Sequence, residues 1–282
     1  MRYVKMNDAT VARFQKEGRG QGEGQHYKPW IYIGELPSSG RTGDPMGHKT
    51  GRPHQLLSQN EINFFNMLEW ASDVVDIREQ FPLSRTHTLE VAREIGAAHP
   101  YYPGTHDPTV MTVDFLVTRV RDGKRSLHGY DIKETGEAED FNSLTKLEIT
   151  RETLERIDIP HELVFSSQLP KKECEMLAWI QGGLKRRNET EPYEGFFAEQ
   201  CAAMAHDLAH TKFKGTLAEY CADFESRASI AKTTGLRLAR MLMQSRVVTP
   251  PLSANISDLV VSDLVVTAMP GQPRLVSKGQ SQ

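Results

Sequence analysis

Residues 112–133 read TVDFLVTRVRDGKRSLHGYDIK. The first seven residues predict a strand over 112–118, and the Asp122-Gly123 pair within 121–124 is typical of a tight hairpin turn. A partner strand is predicted from about residue 126 to residue 133. The stretch therefore predicts a hairpin with an acidic residue on each strand, and this hairpin decides the fold of the first half of the chain.

Further elements extend from the hairpin in both directions. Upstream, a helix is predicted from Ser58 and a short strand over 74–78, followed by a long polar excursion over 84–110. Downstream, a helix is predicted over 141–157 and a strand over 161–165. Four side chains of that helix are expected to face inward: Leu144, Leu147, Leu154 and Ile157. This order predicts an α/β domain, a mixed sheet flanked by helices.

The chain is long enough for two domains. The first is predicted over residues 1–167, in which the glycine-rich residues 1–55 are interpreted as an arm or lid. The second is predicted over 168–270, and residues 271–282 are expected to be a disordered tail. Helices near 171–187, 193–211 and 217–227 make the second domain mainly helical.

The end of the second domain has a pattern of its own. Residues 229–244 read as a helix, a glycine turn and a second helix, and residues 259–266 read as a β hairpin. A helix-turn-helix with a β wing, and so a winged-helix-like domain, is the simplest interpretation.

Composition excludes several classes of protein. The 282 residues are 38% hydrophobic and 25% charged, with a net charge of -3, so no global basic field marks a DNA-coating protein. Three cysteines without Cys-x-x-Cys spacing argue against disulfides and zinc knuckles and fit a reducing bacterial cytoplasm. No apolar segment predicts a signal peptide or a membrane span.

Asp114, Asp131 and Lys133 carry the candidate chemistry. Asp131 and Lys133 lie on the same face of their strand while Ile132 points into the core, and the hairpin brings Asp114 beside them. Carboxylate oxygens suit a hard divalent cation that activates water, and a lysine can orient that water or offset charge on a phosphate. The pattern predicts metal-dependent phosphodiester hydrolysis.

The Asp-x-Lys pattern is weak by itself. A second copy, residues 122–124, lies in the hairpin turn, where Asp-Gly is expected for backbone reasons. For residues 131–133 the alternative is an exposed salt bridge, which contributes at most about 1 kcal/mol. Only placement on paired strands separates the two copies.

Glu61 has two interpretations. Residues 58–61 form a capping box in sequence, in which the Glu61 carboxylate would turn back to the Ser58 N–H. The same carboxylate could instead bind a metal, and it cannot fully do both.

Other candidates are weaker. His206 and His210 have zinc-ligand spacing but no evident third ligand, which favours a helix surface. The glycines over 18–24 do not lie between a strand and a helix and so do not predict a nucleotide site. The basic cluster over 185–187 fits either helix-dipole compensation or a DNA phosphate contact. Arg78 fits either a DNA contact or a salt bridge near Asp76.

Several longer motifs recur in order and resemble the TnsA family of transposon-end endonucleases. They comprise residues 18–22, 37–41, 48–52, 56–58, 68–70 and 76–83, the last reading DIREQFPL. The resemblance covers about residues 12–165 and is looser beyond.

The resemblance implies a restriction-endonuclease-like domain with Glu61, Asp114 and Lys133 as catalytic residues. It implies that Mg²⁺ is bound by Asp114 and residue 131, with the backbone carbonyl of Ile132 completing part of the shell. We expect Glu61 as a further ligand and Mn²⁺ as a substitute metal. The familiar member has glutamine where this chain has Asp131, a departure that adds negative charge at the metal.

The resemblance also implies a biological step and partners. Members of the family nick the 5′ ends of the transposon DNA, while the DDE transposase TnsB cuts and joins the 3′ ends and the AAA+ regulator TnsC contacts the C-terminal region. Two alternatives remain: a stand-alone restriction or repair nuclease of the same fold, and a non-catalytic helix-turn-helix adaptor.

Overall fold

The structure is a computed structural model that describes residues 3–35, 40–136, 140–184 and 189–267. The chain divides into two compact units, Met1–Pro170 and Lys171–Gln282. This division lies three residues after the predicted boundary. The predicted tail, residues 271–282, and the basic cluster over 185–187 lie outside the described residues. Among the helices that the structure describes, none has the length and hydrophobicity of a membrane span.

The first unit is built on a mixed four-stranded sheet. Its elements in chain order are α1 (Asp8–Lys16), α2 (Gln59–Trp70), β1 (Val74–Pro82), α3 (Arg85–Glu94), β2 (Thr112–Arg121), β3 (Lys124–Lys133), α4 (Phe141–Glu155) and β4 (His161–Phe165). The strand order is β1-β2-β3-β4. The β1–β2 and β2–β3 pairs are antiparallel, and β3–β4 is parallel. The predicted hairpin and mixed sheet are confirmed.

Two hydrophobic cores cover the sheet. In one, Phe64 and Phe65 of α2 pack with Phe115 and Ile132. In the other, residues of α3 and α4 pack with Leu116. Because neighbouring residues of a strand point to opposite faces, Phe115 and Leu116 show that the two cores lie on opposite sides of the sheet.

The segment between β1 and β2 corrects the sequence analysis. The predicted polar excursion over 84–110 contains helix α3, capped by Ser84, whose hydroxyl accepts the His87 N–H. Its apolar face is too short to show periodicity, and only packing against α4 buries Val91 and Ala92.

The inward face of α4 is also partly different from the prediction. Leu154 is buried, but Leu144 and Ile157 are 43% and 52% exposed. Ile149 takes the central core position instead. Helix α4 ends at Glu155, so Ile157 lies beyond the regular helix and does not follow its periodicity.

The segment predicted as an arm, residues 1–55, contains a helix and part of a hydrophobic core. Helix α1 buries Val11 and Phe14, which form a third core with Trp30 and residues of the 100–110 segment. Gly20 has a φ of +75°, and a Cβ there would lie 2.2 Å from the Pro82 side chain. The glycine-rich segment therefore packs on β1, through contacts between residues distant in sequence that local periodicity does not reveal.

The second unit is mainly helical, as predicted. It contains α5 (Lys171–Gln181), α6 (Phe196–His210), α7 (Leu217–Ala228), α8 (Thr234–Gln244), β5 (Val248–Thr249) and β6 (Val265–Val266). Gly235 lies inside α8 rather than in the turn before it. A Cβ at Gly235 would lie 2.7 Å from the backbone oxygen of Cys221, so glycine permits the close approach of α7 and α8.

The winged helix is not confirmed. The predicted hairpin over 259–266 is wrong, because β6 pairs with β5 and short 3₁₀ turns occupy Ile256–Asp258 and Val261–Asp263. Strand pairing over only two residues is set by tertiary contacts rather than by a local hydrophobic pattern.

The two arginines of α8 are engaged within the unit. Arg237 forms an ion pair with Glu189 and donates to the carbonyl oxygen of Gly183. Arg240 donates to the Trp179 carbonyl oxygen and lies 5.2 Å from the centre of the Trp179 ring. These side chains stabilise the helical packing and are not displayed as a base-reading surface.

Candidate active site

Asp114 and Asp131 face each other where β2 and β3 stop pairing. The regular register ends at Phe115 and Tyr130. Beyond that pair, the Asp114 N–H donates to Asp131 Oδ1 at 3.1 Å, and the Ile132 N–H donates to Asp114 Oδ2 at 2.8 Å. The two carboxylates thus accept backbone N–H groups at the open end of the hairpin, which holds both side chains in place.

Lys133 completes this group. Its Nζ lies 3.8 Å from Asp114 Oδ2, and its side chain is 28% exposed against 15% for Asp114. Ile132 between them is buried in the core. The alternation of β3 therefore brings Asp131 and Lys133 to the same side as Asp114.

His161 is a residue of the site that the sequence does not reveal. It begins β4 and pairs in register with Gly129. Its Nε2 lies 2.8 Å from Asp131 Oδ2, and both side chains are about 95% buried. Both oxygens of Asp131 therefore have hydrogen-bond partners, and no sequence motif connects residues 131 and 161.

Glu61 lies in the first turn of α2. The Ser58 hydroxyl caps the helix by accepting the Glu61 N–H at 3.1 Å. The carboxylate does not complete the predicted box with the Ser58 N–H. Its Oε2 accepts the Leu57 N–H at 2.9 Å and the Gln80 amide at 3.4 Å. Capping and an active-site position are thus compatible for this residue.

Electrostatics link Glu61 to the aspartates. Burial is the main cause that raises the pKa of Asp114 to about 8, Lys133 opposes the shift, and the charges of Asp131 and Glu61 add to it. Burial also raises the pKa of Glu61, against the hydrogen bond from Leu57 and the attraction of Lys133. Three carboxylates share one lysine, and this arrangement has excess negative charge.

Asp114 and Asp131 line a cleft of about 570 Å³. Lys133 lines the cleft with them. Lys146 and Tyr101 contribute to the rest of its lining. A cleft with a second lysine can admit a phosphate group beside the aspartates.

The donor set fits a hard divalent cation. Raised carboxylate pKa values mark a site that gains from added positive charge. Within the described ranges, no three histidine, cysteine or carboxylate side chains already converge as a metal cage. Mg²⁺ commonly takes only one or two carboxylates and keeps several waters, so this open arrangement suits it.

A buried ionic cluster lies beside the site. Arg52 donates two hydrogen bonds to Glu79, at 2.7 and 2.6 Å, and His54 Nδ1 lies 2.7 Å from the same carboxylate. Burial opposes ionisation of Glu79, but His54 and Arg52 lower its pKa to about 2. The cluster fastens the segment before α2 to β1 and so supports the position of Glu61.

The remaining sequence candidates lie elsewhere. Arg78 is 7% exposed, and its Nε lies 3.2 Å from Asp76 Oδ2, which favours the salt-bridge interpretation. His206 and His210 are exposed neighbours on α6, with ring centres 4.5 Å apart. They belong to no candidate metal group in the part of the chain that the structure describes.

Two comparisons show which known proteins this chain is similar to. The family model for the TnsA-like endonuclease N-terminal domain matches residues 71–166, which include Asp114, Asp131 and Lys133. The Tn7 transposition protein TnsA of Escherichia coli is 37% identical over 202 residues. This alignment covers 72% of the present chain and 71% of the relative. The chain therefore belongs to the TnsA family of transposition endonucleases.

Proposed function

We propose that this chain is the Mg²⁺-dependent endonuclease subunit of a heteromeric transposase and that it nicks the 5′ ends of the transposon. The observation that carries the proposal is the reciprocal Asp114–Asp131 pair with Lys133 at the open end of the β2–β3 hairpin. This is the arrangement that the Asp and Asp-x-Lys pattern predicts for a restriction-endonuclease-like active site.

Each side chain has a proposed role. Asp114, Asp131 and Glu61 hold the cation, and the Ile132 carbonyl is a further candidate ligand. Asp131 retains acceptor capacity because each carboxylate oxygen has two lone pairs. A bound Mg²⁺ would supply Lewis acidity and neutralise charge on the scissile phosphate.

Lys133 acts on the water and the phosphate. Its ammonium group is near enough to Asp114 to reach a phosphate placed at the same carboxylate. There it would orient the attacking water and stabilise the negative charge that develops on the phosphate oxygens. The products would carry 5′-phosphate and 3′-hydroxyl ends.

The proposed partners follow the family assignment. They are the transposon-end DNA, a TnsB-like DDE transposase that acts on the 3′ ends, and a TnsC-like AAA+ regulator. Because Arg237 and Arg240 are engaged inside the second unit, we assign that unit to protein contacts rather than to base readout.

A reconstituted transposition reaction tests the proposal. It contains the protein, TnsB-like and TnsC-like partners, and a supercoiled plasmid with both transposon ends, and primer extension maps each strand separately. With Asp114→Ala or Lys133→Ala, we expect 5′ nicks to disappear while 3′ joining persists and cointegrates accumulate.

The hairpin turn offers a matched control. Asp122 and Lys124 have the same Asp-x-Lys spacing, but Asp122 lies in the turn and Lys124 begins β3 at the opposite end from Lys133, so Asp122→Asn and Lys124→Ala should leave 5′ nicking unchanged. Persistence of 5′ nicks with Asp114→Ala would exclude the proposed active site. Efficient cleavage by the protein alone would favour the stand-alone nuclease.

A further inference from the structure

Gln80 has an unusual backbone for a residue inside a strand. It lies near the end of β1 with a φ of +48°, in the left-handed region that favours glycine. Its side chain is not in solvent, since the residue is only 4% exposed. The strained backbone of a buried glutamine persists only where the surrounding structure compensates for the strain, and such residues cluster at functional sites.

The side chains of β1 change faces across Gln80. Before Gln80, Ile77 packs in the core beside α2. After it, Phe81 packs in the opposite core, and Arg78 lies over the Phe81 ring, 5.5 Å from its centre. Residues 78 and 81 would point to opposite faces of a regular strand, so the alternation reverses at Gln80.

This reversal directs Gln80 toward the active site. Glu79 pairs in register with Phe115, and Phe81 pairs with Val113, so Gln80 falls across from Asp114. Its side-chain amide donates to Glu61 Oε2 at 3.4 Å. That oxygen also accepts the Leu57 N–H. Gln80 is thus a residue of β1 that holds the carboxylate on α2 from a strand position across from Asp114.

The surroundings hold Gln80 in this conformation from both sides. Its carbonyl oxygen accepts the Trp30 N–H at 3.3 Å. The preceding residue, Glu79, is fixed by Arg52, and its carbonyl oxygen accepts the Tyr27 hydroxyl at 3.0 Å. Strained backbone persists where neighbouring contacts determine it in this way.

We propose that Gln80 is a positioning residue that holds the Glu61 carboxylate toward Asp114, so that the two carboxylates act on one cation. This inference rests on the proposed nuclease function. It adds a residue that acts through Glu61 and requires no contact between Gln80 and the DNA.

Two substitutions separate positioning from folding. Gln80→Gly relieves the backbone strain and removes the side-chain amide. Gln80→Met keeps the length of the side chain and removes the group that donates to Glu61. Asp122→Gly is the matched control, because Asp122 has a φ of +50° in the hairpin turn, away from the carboxylates. Gln80→Glu places a negative charge against Glu61 and should be at least as harmful as Gln80→Met.

The first measurement is the single-turnover rate of 5′ nicking in the reconstituted reaction, together with the thermal unfolding midpoint. Loss of a residue that orients a metal ligand typically lowers activity or metal affinity about 10- to 100-fold. We expect that loss for Gln80→Gly and Gln80→Met, with no decrease in the unfolding midpoint of Gln80→Gly. Asp122→Gly should nick like the wild type.

The second measurement uses Mg²⁺ alone and does not depend on cleavage. We expect Mg²⁺ to raise the unfolding midpoint of the wild type, to have no such effect on Asp114→Ala, and to require a higher concentration for Gln80→Met. Wild-type nicking rate and wild-type Mg²⁺ response in both Gln80 variants would overturn the inference. If the wild type responds to Mg²⁺ through Asp114 and Gln80 yet never nicks, the positioning role stands and the proposed nicking function fails.

Discussion

Replacement of Asp114 by asparagine keeps the size of the side chain and an acceptor for the Ile132 N–H, which donates to Asp114 Oδ2 at 2.8 Å. It removes the carboxyl group that titrates. Because burial raises the pKa of Asp114 to about 8, the folded protein without metal binds a proton there more tightly than the unfolded chain does. We therefore expect Asp114→Asn to stabilise the metal-free protein while it abolishes nicking.

The magnitude follows from the two pKa values. An unfolded aspartate has a pKa of about 3.9, so about three pKa units separate that value from pH 7, which corresponds to about 4 kcal/mol. This is an upper limit, because local rearrangement and water relax buried charges. We expect a gain of about 1–2 kcal/mol at pH 7 after that relaxation.

The pH dependence has a definite sign. A carboxyl group with a raised folded-state pKa costs no stability below its unfolded pKa, and the cost grows as pH rises toward the folded value. The difference between Asp114→Asn and the wild type should therefore be small near pH 4 and increase up to about pH 8. Mg²⁺ should reduce the difference, since it binds the wild-type carboxylates.

Urea unfolding in EDTA measures the effect. A Trp179→Phe background leaves Trp30 and Trp70 as the fluorescent residues, and both lie in the first unit. Asp44→Asn, at an exposed position, is the control for a simple change of net charge. The reasoning is refuted if Asp114→Asn is less stable than the wild type at pH 7, or if the difference does not grow with pH.

Three further predictions concern other parts of the molecule. Glu79→Gln should lower the free energy of unfolding by about 3–5 kcal/mol, because it leaves Arg52 buried without its charged partner. Since Arg52 and His54 hold the pKa of Glu79 at about 2, that difference should shrink as pH falls below about 4.3, as urea unfolding at several pH values would show. His161→Ala should lower the free energy of unfolding by about 1.5–3 kcal/mol and slow nicking, because Asp131 loses a buried hydrogen-bond partner. Recovery of nicking with His161→Gln would support this role of the hydrogen bond, and a His161→Ala variant that behaves like the wild type would contradict it. Gly235→Ala should destabilise the second unit by about 1–3 kcal/mol. Unfolding of the first unit, followed by the fluorescence of Trp30 and Trp70, should not change, and equal effects on both units would contradict this prediction.

The hairpin shows how much of the fold the local sequence predicts. Alternating hydrophobicity and the Asp-Gly turn predict β2 and β3, and with them the approach of Asp114, Asp131 and Lys133. This works because strand pairing through a short turn is a local event whose register the turn sets. The same logic separates the Asp131–Lys133 pair from its copy in the turn.

Elements stabilised by distant contacts were harder to predict. Helix α3 lies where the sequence predicts only a polar excursion, and α1 lies in the predicted arm, because each buries few residues and depends on partners far along the chain. The short β5–β6 pair replaces the predicted wing for the same reason.

The sequence by itself therefore determined the sheet, the pairing of the two aspartates with Lys133, and the resemblance to one family. Only the tertiary structure decided the contacts around them: His161 on Asp131, Gln80 on Glu61, and the Arg52–Glu79 cluster beneath α2. These contacts join residues between 19 and 30 positions apart in the chain, outside any helix or strand period. Gln80 also needs a strained backbone that no residue pattern specifies, so the surrounding fold alone holds it toward Glu61.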